Sequence, residues 1–198
     1  MWLKDSIASR ERGDIKEGIN VKDSVWIEIR DCRNSKILVG CFCRALGVKE
    51  EEEEGVHEEF KRACGKGRVL IMGDFNLPGI DWVQEQGKGR ADEDFLVLVQ
   101  DCFLTQFVDK PTRGSAVFDL LLSNDPNMVE EIEVGEHFDH TIVYATIMLR
   151  VGVRHSSMKL LDVCLGLSKS GIMRSLVCRE SQPPDHEHFP VCNPHASQ

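Results

Sequence analysis

The chain has little of what several function classes require. Its eight cysteines, at 32, 41, 43, 64, 102, 164, 178 and 192, include no Cys-x-x-Cys pair, so no zinc framework of the usual spacing emerges. It has no long apolar run. The most apolar stretch, "TIVYATIML" at 141–149, falls far short of the roughly 20 residues that a membrane-spanning helix needs. The opening "MWLKDSIASRERGDIKEG" carries charges at Lys4 and Asp5 and no apolar segment, so it does not read as a secretory signal. An excess of positive charge is also missing. Twenty-four basic against 33 acidic residues leave a net charge of −9, which argues against a broad basic surface gripping nucleic acid by phosphate neutralisation. A small site acting on phosphate is still compatible with that balance, because a divalent cation supplies positive charge locally. The expectation is a chain without membrane attachment, intracellular, in nucleus or cytoplasm, with its thiols in a reducing compartment. Cys41, Cys43 and Cys102 sit in or beside apolar runs and are expected to behave as small hydrophobes.

What is present suits a folded domain. An apolar fraction of 41% and a charged fraction of 29% over 198 residues allow one domain with a sizeable core, plus tails. Residues 1–21 are polar and charged without period and are expected to be a flexible lead-in. In "SVWIEIRD", 24–31, Val25, Ile27 and Ile29 alternate with Trp26, Glu28 and Arg30, which is strand spacing. "CRNS" then turns the chain into "KILVGCFC", 36–43, the other arm of a hairpin. "KEEEEEGVHEEFKRACGK" has its acids first and Lys61, Arg62 and Lys66 last, the order that suits a helix dipole. Its acidic region at 50–59 is also the surface that a protein partner would use. A strand at 68–73, the "NLPG" turn and a helix near 91–103 follow, with Asp92 or Asp94 in the helix's first turn. "GSAVFDLLLSNDPN" holds another buried strand, ended by an Asn-Asp-Pro turn, and 128–150 supplies two more. Residues 151–198, ending "ESQPPDHEHFPVCNPHASQ", have no period and read as a weakly structured tail. The irregular spacing of His186, His188, Cys192 and His195 there does not match usual zinc patterns. Alternating strands and helices followed by clustered strands indicate an α/β (α+β) layered fold with a mixed sheet over 22–150.

Three apolar runs carry polar residues where a strand interior meets its edge. The first is "RVLIMGDFNLPGIDW", in which Val69–Met72 enter a core and Asp74 and Asn76 stand at the exit. The second is "VFDLLL", where Asp119 is enclosed by apolar neighbours and so calls for a positive or hydrogen-bonding partner. The third is "FDHTIVY", where Asp139 and His140 precede the apolar run, and His140 is a partner for Asp119. These residue types form a phosphodiester-cleaving set. Asp139 would hold a Mg²⁺ that polarises a phosphate oxygen. Asp74 would orient or deprotonate the attacking water, and the Asn76 amide would donate to a non-bridging oxygen. His140, fixed by Asp119, would present a donor to the transition state. Trp82 could line a substrate groove and Asn124 could approach the substrate, although a loop-closing aromatic and a turn former are the plainer readings.

"GDFN" at 73–76, "FDLLLSND" at 118–125 and "DH" at 139–140 resemble three ordered motifs of the endonuclease/exonuclease/phosphatase superfamily. The resemblance is closer to its apurinic-endonuclease-like branch, encoded by LINE-type non-LTR retrotransposons. In that branch "GDFN-x-P-x-x-x-W", here "GDFNLPGIDW", precedes "LTQ…PTR", here "LTQFVDKPTRG", and an "LDL-x-L-(T/S)N" strand. The resemblance covers roughly residues 22–150 and implies a two-sheet α/β sandwich, Mg²⁺ as cofactor and DNA as partner. By position it gives Asp74 the role of the acid that activates the nucleophile and Asn76 that of the amide at the phosphate. Asp119 matches the acid that orients the histidine, and Asp139 and His140 match the metal-associated acid and the essential histidine.

The sequence departs from the pattern in four places. Nothing in residues 1–21 resembles the superfamily's strand with an asparagine or its metal-binding glutamate. Cys43 stands where a phosphate-contacting tyrosine is implied, and Phe138 where the family has serine. A metal site with fewer carboxylates holds Mg²⁺ less tightly. The expectation is therefore a partial, degenerate copy of a Mg²⁺-dependent DNA endonuclease domain, weak or inactive. A non-catalytic interaction domain and a small-molecule phosphatase of the same superfamily are the alternatives.

Overall fold

Period-two alternation and buried runs build two sheets. A computed structural model describes residues 9–19, 21, 23–30, 35–45, 47, 49–137, 140–150, 158–166 and 179–180, with side chains through residue 130 and at Ile132 and Val134. The strands are β1 Ser9–Glu11, β2 Ser24–Arg30, β3 Lys36–Cys43, β4 Arg68–Asp74, β5 Thr105–Gln106, β6 Asp119–Ser123, β7 Val129–His137, β8 His140–Arg150, β9 Met158–Gly166 and β10 Arg179–Glu180. The helices are α1 Glu50–Cys64 and α2 Arg90–Asp101, and a single 3-10 turn spans Gly13–Ile15. One sheet has six strands in the order β1-β2-β3-β4-β6-β5, and the other has four in the order β10-β9-β8-β7. The first is mixed, since β3 and β4 run parallel with α1 as their crossover and the other pairs are antiparallel; the second is antiparallel.

The six-stranded sheet is covered on both faces. Leu38 and Phe42 of β3, Val69 and Ile71 of β4 and Leu120 and Leu122 of β6 join Val56 and Phe60 of α1 and Phe95 and Leu98 of α2 in one cluster. The intervening residues Val39, Cys41, Leu70, Met72 and Leu121 form a second cluster, against which Val129, Ile132 and Val134 of β7 pack. The layers are therefore helices, six-stranded sheet, four-stranded sheet, which is the α/β sandwich that the motifs imply. No helix among the described residues is long and apolar enough to cross a membrane.

Three local readings change. Residues 9–15 are not a lead-in without structure: β1 pairs with β2 from Ser9 opposite Ile29 to Glu11 opposite Ile27, and Ile15 is fully buried in the helix-facing cluster. β1 exposes all three of its side chains, so it has no hydrophobic period to read. Trp26, placed by alternation with the outward residues of β2, is buried and donates its indole N–H to Glu59 at 2.8 Å. Glu59 also accepts from the Ser24 hydroxyl at 3.0 Å, so both of its oxygens are satisfied inside the helix layer. The segment read as a weakly structured tail contributes β9, paired with β8 from Ile142 to Arg150, and β10 beside it.

Candidate active site

Three neighbouring strands end together. In register, Cys43 of β3 lies opposite Asp74 of β4, and Asp74 lies opposite Asp119 of β6. Alternation gives the three side chains one direction, that of Cys41, Met72 and Leu121, toward the four-stranded sheet. Two acids and a thiol therefore share one row at one end of the sandwich. Asp74 is 6% exposed and Asp119 4%, so each carboxylate needs protein partners.

Asp74 has two. Its Oδ1 accepts the Asn76 backbone N–H at 3.0 Å, and its Oδ2 accepts from Arg113 Nη2 at 2.9 Å. Gly73 before it has φ +150, and a Cβ there would lie 1.9 Å from the Phe42 carbonyl oxygen, so the strand reaches Asp74 only through a glycine. After it, Phe75 is 1% exposed and packs among Phe42, Phe60 and Phe95 with ring centroids 5.2–6.0 Å apart. Asn76 adopts φ 49, a left-handed conformation that asparagine accepts more readily than most residues. Its amide donates to the Arg44 carbonyl at 2.6 Å, and the Arg44 backbone N–H returns a bond to the Asp74 carbonyl at 2.8 Å. The Arg44 guanidinium reaches the Phe75 and Asn76 carbonyls at 3.4 Å each and pairs with Glu53 of α1. The turn after β4 is thus pinned from both sides before any ligand arrives.

Asp119 is held differently. Burial, with the charge of Asp74 opposite, pushes its carboxyl up to about 6, while Thr112 and Arg113 pull the other way. The Thr112 hydroxyl oxygen accepts the backbone N–H groups of Phe118 at 2.9 Å and Asp119 at 3.1 Å, which ties the 112–118 loop to the start of β6. That loop carries Arg113, whose guanidinium lies 4.5 Å above the centre of the Phe118 ring. Burial first, and then Asp74, Asp23 and Asp119, raise the Cys43 thiol above its ordinary range, so it stands protonated and neutral beside the acids.

Among solved structures the chain is similar to the endonuclease domain of TRAS1, a telomere-specific non-LTR retrotransposon, with a TM-score of 0.59 and 16% identity over 75% of this chain and 70% of that one. The fold is that of a retrotransposon endonuclease domain. No family model matches the chain, and no curated protein does. At 16% identity the likeness fixes the fold, and residue roles rest on the geometry of this chain.

Within that endonuclease-type fold, the structure brings Asp74, Asn76 and Asp119 to one place. His140 opens β8 as the partner of His137; its side chain, and Asp139 with Phe138, lie outside the described residues. Asn124 is not brought to this group. It stands at the opposite end of β4 and β6, where its Oδ1 accepts the Val69 N–H and its amide donates to the Gly67 carbonyl, both at 2.9 Å, so it clips the strands together. Trp82 packs at the edge of the helix-facing cluster, with its indole N–H buried and without an acceptor, as a loop-closing aromatic does. Of the acidic region, Glu50, Glu53, Glu58 and Glu59 are paired with Arg90, Arg44, Arg62 and Trp26, respectively. Sequence reasoning did not single out Arg113, Arg44 or Phe75; the first two pair across the fold, and the third was hidden inside a motif read for its polar residues.

Asp74 and Asp119 are hard oxygen donors of the type Mg²⁺ takes. Both Asp74 oxygens, however, are engaged by Asn76 and Arg113, and among the described residues no group of three or more His, Cys, Asp or Glu is set to hold a metal ion. The described residues alone do not complete a Mg²⁺ site.

Proposed function

We propose that the chain is a DNA endonuclease domain of the retrotransposon type that hydrolyses phosphodiesters weakly with Mg²⁺. The observation that carries this is the in-register pair Asp74 and Asp119 at the end of the sheet, with Asn76 fixed in the next turn. Asp74 is the proton acceptor for the attacking water, held by the Asn76 N–H. The Asn76 amide, pinned by Arg44, is the donor to a phosphate oxygen. By the resemblance, Asp119 would orient His140 and Asp139 would hold Mg²⁺, whose charge would stabilise the phosphate and leaving oxygens.

One observation supports a low level of activity. The neutral Cys43 thiol occupies the row where the resemblance implies a tyrosine hydroxyl, and a thiol is a weak donor. The test is conversion of supercoiled plasmid to open circles by the purified chain. Nicking is expected with Mg²⁺, and it is expected to be lost with a chelator, in Asp74→Ala and in His140→Ala. Equal nicking by those variants assigns the cleavage to another source, and no nicking by the parent chain leaves a non-catalytic domain of the same fold.

A further inference from the structure

We propose that Arg113 is a phosphate-binding residue of this site, the group that receives a backbone phosphate of the nucleic acid in exchange for Asp74. The proposal rests on the DNA reading above and adds a residue which that reading does not contain. Two arginines stand at the row of acids, and they are committed differently. Arg44 spends its guanidinium on the Phe75 and Asn76 carbonyls and on Glu53, which makes it part of the scaffold. Arg113 donates from Nη2 to Asp74 Oδ2 at 2.9 Å, and its side chain is 54% exposed. A guanidinium has five N–H groups in a planar fork and pairs with two phosphate oxygens at once.

The loop aims that fork. Arg113 N–H donates to the Ala116 carbonyl at 3.2 Å and Ala116 N–H returns to the Arg113 carbonyl at 3.2 Å, while Thr112 N–H donates to Ala116 at 3.0 Å. With the Phe118 ring beneath the guanidinium, the side chain is directed over the end of β4. Its orientation is therefore largely set before binding, which lowers the entropy lost when a phosphate is engaged. The surrounding charge supplies the reason for such a residue. A chain of net charge −9 that sets two carboxylates opposite one another repels a phosphate unless a cation stands at the same place. A phosphate oxygen that takes the guanidinium from Asp74 frees Oδ2 as the substrate is seated.

The experiment is binding of a fluorescein-labelled duplex of about 20 base pairs, in chelator and without metal, followed by anisotropy between about 50 and 200 mM KCl. Cleavage is absent, so the readout does not depend on activity. In Arg113→Ala the affinity is expected to fall several-fold, and the slope of log K against log salt to shrink by about 0.9, the value for one phosphate on duplex DNA. Arg113→Lys is expected to keep the slope and to lose part of the affinity, because it retains the charge without the fork. Arg90→Ala, which removes an arginine 84% exposed on α2, is the control and should leave the slope unchanged. An unchanged slope in Arg113→Ala, with the parent chain binding normally, overturns the role of Arg113 alone. An equal change in Arg90→Ala reduces it to overall charge and overturns it too. Absence of binding by the parent chain takes down the DNA reading, and this inference with it.

Discussion

Asp119 should cost the fold stability at neutral pH. Its carboxyl is 4% exposed, and burial together with Asp74 opposite lifts it from the ordinary 3.8 to about 6. Between those two values the folded chain holds a proton that the unfolded chain has released, so the folded state binds more protons and stability falls as pH rises. The decline is complete above the folded value and absent below the ordinary one. A displacement from 3.8 to about 6 corresponds to roughly 3 kcal/mol, taken as an upper figure. Asp119→Asn removes the titration while keeping an oxygen that can accept from Thr112. Urea unfolding of both proteins from about pH 4 to pH 8 should therefore give equal midpoints at the acid end and a variant more stable by up to roughly 3 kcal/mol at the neutral end. A variant that is less stable at neutral pH, or a difference that does not change with pH, would refute the reasoning. Stability rising through the same interval would mean that a cation outside the described side chains, such as the imidazolium of His140, sits on the carboxylate.

Two further outcomes follow from the row and its anchor. Phe75→Ala should lower stability by about 3–5 kcal/mol, read as a shifted urea midpoint, because it empties the space between Phe42, Phe60 and Phe95; Phe75→Leu, which keeps most of the volume, should cost less than about 2 kcal/mol. A loss below about 1 kcal/mol in the alanine variant would show that the aromatic cluster is not holding the turn. Cys43→Tyr places a hydroxyl beside Asp74 and should raise plasmid nicking by at least tenfold, given that one well-placed donor is worth roughly 10²–10³ in rate. Unchanged nicking with an intact fold would remove Cys43 from the account of weak activity.

The parts of the fold that could be read from the sequence are those whose signal is local. The β2–β3 hairpin, α1 and α2 follow from alternation, from acids at a helix start and from the Asp92 carboxylate, which accepts the Gly89 N–H at 3.0 Å. The gathering of Asp74, Asn76 and Asp119 at one end of the sheet was legible because polar residues at the ends of apolar strands are unusual enough to demand a reason. β1 was not legible, since it is held by backbone pairing and exposes its side chains. Alternation set Trp26 on the face of β2 opposite Ile27 and Ile29, where it is, but that face is not wet, because α1 covers it with Glu59. Arg113 meets an acid 39 residues away, a pairing that no window of sequence contains. Asn124 shows the converse: it lies beside a motif strand, but at the end of the sheet away from the acids.

The stretch "GDFN" shows why a single motif resists assignment to either stability or function. Gly73 is required by the Phe42 carbonyl, Phe75 by three aromatic neighbours, and Asn76 by a left-handed turn that Arg44 holds. Each of these three has a structural reason that would persist if the chain cut no DNA. Asp74 differs, because a 6% exposed carboxylate in register with another carboxylate needs Arg113 to be tolerated, and removing both acids would relieve the fold of two buried carboxyl groups set opposite one another. The string "GDFN" by itself is therefore weak support for activity. The placing of Asp74 in register with Asp119, at a cost in stability, is the stronger support, and it is the pair on which the proposed function stands or falls.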